Sequence, residues 1–130
     1  MTNILICANA IIVSKETSKL LLVKRASNRV EASKWSLAGG TVEFQEKLED
    51  ALLRELKEEL SIEVIKAKFF DYHEYITDKL HAVAFYFVVK ISENTQFKLN
   101  DELTEYKWVK NVDDELAFEQ NIIVDKYLNS

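Results

Sequence analysis

Residues 39–62 read GGTVEFQEKLEDALLRELKEELSI, and this stretch joins the chain's only two glycines to a dense run of acids. Its carboxylates are Glu43, Glu46, Glu49, Asp50, Glu55, Glu58 and Glu59. From Glu46 to Leu60 the segment is rich in Leu, Glu and Lys and is predicted to be helical. At about 100° per residue, Glu55, Glu58 and Glu59 share one flank spanning roughly 100° of that helix. Leu53, Leu56 and Leu60 mark the expected buried side, and Lys57 and Asp50 the solvent side. Leu48 and Leu52 lie closer to the carboxylates, so that flank is expected to be partly covered where the helix begins. Carboxylates this close repel one another unless a cation sits among them. An oxygen-rich cluster suits Mg²⁺ or Mn²⁺, which keep waters and bind substrate phosphates. Taken alone, the same pattern also describes a solvated helix relieved by i,i+4 pairs with Lys and Arg.

The rest of the chain narrows the choice. Its 130 residues are 48% hydrophobic, which argues against disorder and for one domain over residues 1–130. Seventeen basic against 22 acidic side chains leave a net charge of −5. That balance excludes a general nucleic-acid binder, yet admits a polyphosphate ligand if metal neutralises the site. Cys7, the one cysteine, excludes an internal disulfide and is expected to be a small buried side chain. The first residues, MTNILICANAIIV, lack a basic segment and a small-residue cleavage pattern. No apolar run approaches a membrane span, so no membrane partner and a cytoplasmic location are expected.

Leu5–Val13 and Leu20–Val23 are predicted as a strand hairpin around the polar turn SKETSK. Residues 26–36, ASNRVEASKWS, read as a loop anchored by Trp35 and Leu37. Val64–Tyr75 and His81–Lys90 are two further strands, the second central because VAFYFVV is aromatic and β-branched. Residues 91–104 read as loop, 105–109 (EYKWV) as a short strand, and Leu116–Leu128 as a second helix burying Leu116, Ile123 and Tyr127. The order predicts a mixed α/β domain without repeats.

The fixed spacing carries more than the composition. Gly40 is followed after five residues by Glu46, and after seven more by Arg54-Glu55-Leu56-Lys57-Glu58-Glu59, then Ser61-Ile62. This closely resembles the Nudix box, the signature of hydrolases acting on a nucleoside diphosphate linked to another group. WSLAGG, residues 35–40, resembles the W-x-L-P-G-G that precedes the box. Two positions depart: Ser61 stands where the family has glycine, and Ala38 where it has proline. Ser61 is expected to carry a small penalty in a left-handed helix ending. Neither departure removes a donor oxygen.

The resemblance implies a Nudix fold, a central mixed β-sheet sandwiched between helices. It also implies a magnesium-dependent hydrolase with Mn²⁺ as a substitute. Glu55, Glu58 and Glu59 match the family's metal ligands, and Gly40 the glycine whose carbonyl can join them. Arg54 and Glu46 match the pair in which the arginine positions the carboxylates. Gly39 and Gly40 match the loop that lets backbone approach metal and phosphate. Water still needs a carboxylate to orient or deprotonate it. The possibilities are Glu58 or Glu59, or Glu102 or Glu105 in DELTEYKW, with Glu102 preferred as lying outside the strand.

Lys24 and Arg25 end the second strand near where the family holds phosphate-binding basic residues. Alternation sends them to opposite faces, and Arg25 is the expected phosphate contact. His73 and His81 read as structural or surface residues. Phe85, Phe87, Tyr72 and Trp108 could stack a base, although core packing accounts for most strand aromatics.

The compact length and WSLAGG resemble the MutT-like branch, implying a nucleoside triphosphate substrate cleaved to monophosphate and pyrophosphate, oxidised purine nucleotides among the possibilities. ADP-ribose or another nucleoside diphosphate derivative is the enzymatic alternative, and a non-catalytic nucleotide-binding domain the other. The expected partner is a small-molecule nucleotide rather than a nucleic acid, and the chain a monomer or homodimer.

Overall fold

The run CANAIIV cannot alternate between wet and dry faces, because nearly every position is small or apolar; it demands a strand covered on both sides. In a computed structural model, which describes residues 3–130, this run is β1 (Leu5–Ser14), at the centre of a mixed sheet. Ala8, Ala10 and Ile12 join one core and Ile11 and Val13 the other. The first core is closed by helix α1 (Leu48–Leu60), the second by helix α2 (Gln120–Leu128). The expected sandwich of a mixed sheet between helices is therefore found.

β1 pairs antiparallel with β2 (Leu20–Arg25) and with β4 (Ala38–Thr41). It pairs in parallel with β6 (His81–Ile91), which is antiparallel to the edge strand β5 (Lys68–Ile76). On the other side, β2 carries the short β3 (Trp35–Ser36) and β7 (Leu103–Val109). Among the described residues no helix is long and apolar enough to cross a membrane.

Several expectations need correction. The loop through residue 36 ends in β3, and the glycine pair lies in β4, paired with β1, rather than in a loop. α1 begins at Leu48 rather than Glu46, and β5 at Lys68 rather than Val64. The predicted last helix is broken: a 3-10 turn, Ala117–Glu119, precedes α2, with Phe118 and Glu119 both left-handed (φ 56° and 58°). Leu116 and Ile123 are buried and Tyr127 packs beside them, as the periodicity predicts.

On α1 the buried side is rotated from the expected one. Leu52, Leu56 and Leu60 are fully buried, whereas Leu53 is only half-buried. The sheet meets the helix nearer the carboxylates, and Glu59 goes under with the leucines, 4% exposed. α1 ends at Ser61, which adopts the left-handed conformation (φ 58°, ψ 38°) and donates its backbone N–H to the Lys57 carbonyl at 3.1 Å. Its hydroxyl donates to the Lys98 carbonyl at 3.1 Å, tying the helix end to the 92–102 loop.

Candidate active site

α1 packs on β4 and β1. That contact is close because β4 carries no side chains at its centre. A Cβ on Gly40 would run into the Glu55 carboxylate, and one on Gly39 into Asn9 and the Ala8 carbonyl. Gly39 also holds φ 146°, which side-chain-bearing residues rarely adopt. The Gly39 N–H donates to Glu59 Oε1 at 2.9 Å. A third carboxylate comes from the far end of the sequence. Pairing of β7 with β2 sets Leu103 opposite Arg25, and the Ala26 N–H donates to the Glu102 carbonyl at 2.9 Å. Oxygens of Glu55, Glu59 and Glu102 lie within 4.8 Å of one another.

Burial pushes the Glu59 carboxyl up to about 8; the Gly39 N–H opposes this, while the charges of Glu55 and Glu102 add to it. Glu55 is also raised by burial, against the pull of Arg54. Glu102 is bound by Arg29 at 3.0 Å. Three converging carboxylates, one buried without a counter-charge of its own, form a hard oxygen donor set. That chemistry fits a divalent cation of the Mg²⁺ or Mn²⁺ kind.

A second group of carboxylates surrounds Arg54. Its Nε donates to Glu46 Oε2 at 2.9 Å and its Nη2 to Glu46 Oε1 at 3.0 Å. Nη1 reaches Glu55 at 2.9 Å and Glu58 at 3.3 Å, while Nη2 also donates to the Thr41 carbonyl at 3.0 Å. The guanidinium fork holds Glu46 down to about 2, helped by the Glu43 N–H, and Arg54 is itself raised by these partners.

Beside the carboxylates opens a cleft of about 320 Å³ on the sheet face that α2 also covers. Small side chains leave the space: Cys7, Gly39, Ala82 and Ala84 line it. Burial raises the Cys7 thiol, and the Thr41 side chain hydrogen-bonds it. Tyr75 and Phe118, packed edge to face with ring centroids 5.6 Å apart, supply aromatic wall. Asn9, Tyr86 and Gln120 add polar groups, and Arg25, Arg29, Glu55, Glu58 and Glu102 the charged ones. The Arg25 guanidinium lies 4.7 Å from the Phe118 ring centroid, and its Nε donates to the Val30 carbonyl at 2.7 Å.

A family model described as NUDIX domain matches residues 6–122 of the chain. The chain is also 32% identical over 119 residues to the nucleoside triphosphatase NudI of Escherichia coli O139:H28, covering 83% of this chain and 84% of that protein. The chain belongs to the Nudix hydrolase family. Among solved structures, the MutT NUDIX hydrolase of Burkholderia pseudomallei superposes with a TM-score of 0.84 at 25% identity, over 95% of this chain and 98% of that one. The NUDIX domain of Shewanella oneidensis NrtR, solved with ADP ribose, gives 0.83 at 19% identity, over 99% and 89% of the two chains. This second likeness is one of fold.

Within this Nudix site, the box residues do not all converge. Glu55 and Glu59 meet Glu102, whereas Glu58 lines the cleft outside that triplet, its side chain 53% exposed. Glu105 lies in β7 and pairs with Lys24 at 3.4 Å, and neither of the two lines the cleft. Arg25 does line it, as alternation predicts, and so do Gly39 and Gly40. Phe85, Phe87, Tyr72 and Trp108 do not line this Nudix cleft: Phe87 is core, and Phe85 and Trp108 pack against it. His81 is absent from the cleft as well. His73 lines it, with Nε2 3.0 Å from Glu119. Sequence reasoning missed Arg29, Asn9, Gln120 and Phe118. Asn9 alone left a signal, as a polar residue inside a strand apolar on both faces.

Proposed function

We propose that this Nudix hydrolase cleaves a nucleoside triphosphate to the monophosphate and pyrophosphate with Mg²⁺ bound. The observation that carries the reading is the carboxylate triplet beside a neutral cleft lined by Arg25 and Arg29. The NudI likeness supports a triphosphate substrate over other nucleotide derivatives.

In this reading Glu55, Glu59 and Glu102 hold the ion, with the Gly40 carbonyl and Glu58 as further oxygens near it. A bound divalent ion supplies neutralisation of phosphate charge and a lowered pKa for water. Arg54 positions Glu55 and Glu58 through its fork and is itself fixed by Glu46. The Gly39 N–H keeps Glu59 in place when it ionises, and absent side chains at Gly39 and Gly40 let a phosphate chain approach the backbone. Arg25, anchored to the Val30 carbonyl, contacts phosphate, and Arg29 joins it. Glu58, lining the cleft outside the triplet, takes the proton from the attacking water. The bond between the α-phosphoryl group and its bridging oxygen breaks, and the nucleoside stays between the apolar walls.

A panel of nucleoside triphosphates, oxidised purine triphosphates, ADP-ribose and dinucleoside polyphosphates, incubated with Mg²⁺ and resolved by product, tests this. At least one triphosphate is expected to give monophosphate and pyrophosphate in equal amounts. Turnover of ADP-ribose with none of any triphosphate overturns the substrate assignment.

A further inference from the structure

The polar groups of the cleft are arranged with one sign. Tyr86 is 1% exposed, in β6, and its register partner across the parallel ladder is Asn9. Gln120, 2% exposed at the start of α2, accepts the Leu37 N–H on Oε1 at 2.8 Å. That bond fixes the carboxamide: its oxygen is used, so its NH₂ turns to Tyr86. The Asn9 oxygen is likewise held against Gly39, in the space a side chain there would fill. Asn9 and Gln120 thus both approach the Tyr86 hydroxyl as hydrogen-bond donors. A phenolic oxygen with two donors on its lone pairs has one remaining capacity, its own O–H. Neither neighbouring amide presents an acceptor to it.

We infer that Tyr86 donates its hydroxyl proton to a carbonyl oxygen of the bound nucleobase, so that the cleft selects keto bases over bases carrying an amino group there. The inference rests on the nucleotide reading above, because it takes the base to be the group filling the cleft. An exocyclic amino group is itself a donor. It would face the O–H and the amide N–H groups donor to donor, leaving buried polar groups without partners. A keto oxygen satisfies the O–H and has a second lone pair for an amide hydrogen. Tyr75 and Phe118 give the flat apolar contact that any base accepts, so they do not discriminate.

Calorimetric titration of the wild-type protein with GMP, AMP, UMP and CMP reads selectivity without requiring turnover. GMP is expected to bind roughly fivefold to tenfold tighter than AMP, and UMP than CMP by a similar factor, the worth of one net hydrogen bond. Tyr86→Phe removes the donor while keeping the ring, and should bring both ratios close to one. Gln120→Glu should invert them. Its second oxygen would accept the Tyr86 proton and leave a phenolic lone pair facing the base. Equal affinity for all four monophosphates in the wild-type protein, or binding of none, overturns the inference, and so does a Tyr86→Phe protein that keeps both ratios. If GMP and UMP are favoured but no triphosphate is hydrolysed, the substrate reading fails and the base selectivity stands.

Discussion

Two groups of carboxylates sit a turn apart along α1, and they differ in what faces them. Glu46 and Glu58 surround Arg54, whose fork satisfies them at 2.9–3.3 Å. Glu59, with Glu55 and Glu102, meets other carboxylates, and its one listed donor is the neutral Gly39 N–H. The first group is electrically closed and stabilises the apo protein. The second is open: it holds buried negative charge that folding alone does not compensate. Acidic density on the helix is therefore two things, a brace and a site, and only the second has room for a cation.

The comparison breaks most visibly in activity. Glu59→Gln retains an oxygen for the Gly39 N–H but removes the charge, and should lower Mg²⁺-dependent pyrophosphate release by at least about 100-fold. Its circular dichroism spectrum should match wild type. Glu58→Gln should lower kcat by about 10²–10⁴-fold if it carries the water's proton. Wild-type rates in both variants would remove the proposed centre. Arg54→Lys, which loses the planar fork, acts on the brace and through it on the site. Activity should fall about 10–100-fold, with a loss of about 1–2 kcal/mol in urea unfolding. Loss of stability with full activity would show that the two groups are independent.

Stability against pH separates them by sign. Glu46 has its folded pKa lowered from 4.5 to about 2, so its contribution is present above about 4.5 and is lost as pH falls toward 2. Glu59 has its folded pKa raised from 4.5 to about 8. The metal-free fold holds that proton more tightly than the unfolded chain, so stability declines as pH rises from about 4.5 and levels off above 8. Urea midpoints in EDTA should fall across that upper window in wild type and flatten in Glu59→Gln. Glu46→Gln should leave the upper window unchanged. A rising midpoint from pH 5 to 8 in the metal-free protein would contradict the open group.

The smallest effect belongs to Ser61→Gly. Relief of a left-handed side chain, worth about 1 kcal/mol, is offset by the lost hydroxyl bond to the Lys98 carbonyl. The unfolding midpoint should shift by less than the equivalent of about 1 kcal/mol, with kcat unchanged. A tenfold change in rate would mean that the helix ending sets the position of Glu59.

The box was legible because both of its signals are local: a helical period and a fixed spacing from Gly40. The departure at Ser61 was also readable, and its left-handed geometry is the one the missing glycine implies. Helical periodicity orders the side chains around α1, but not where the sheet lies, which is why Leu52 and Leu53 exchange roles. β3 and β4 escaped notice because Ala-Gly-Gly-Thr has little strand propensity of its own; its extended form is made by β1. Glu102 and Glu105 were separable only by register, since β7 sends Glu105 to Lys24. The cleft left no motif, because it is made of what is missing at Cys7, Ala82 and Ala84. Phe118 reaches it through a left-handed break that no glycine announces.

The most direct test of the open carboxylate group is Mn²⁺ binding by electron paramagnetic resonance, in wild type, Glu59→Gln and Glu46→Gln. The account predicts a Mn²⁺ site in wild type that persists in Glu46→Gln and is lost or weakened at least about tenfold in Glu59→Gln. Undiminished Mn²⁺ binding in Glu59→Gln would contradict it.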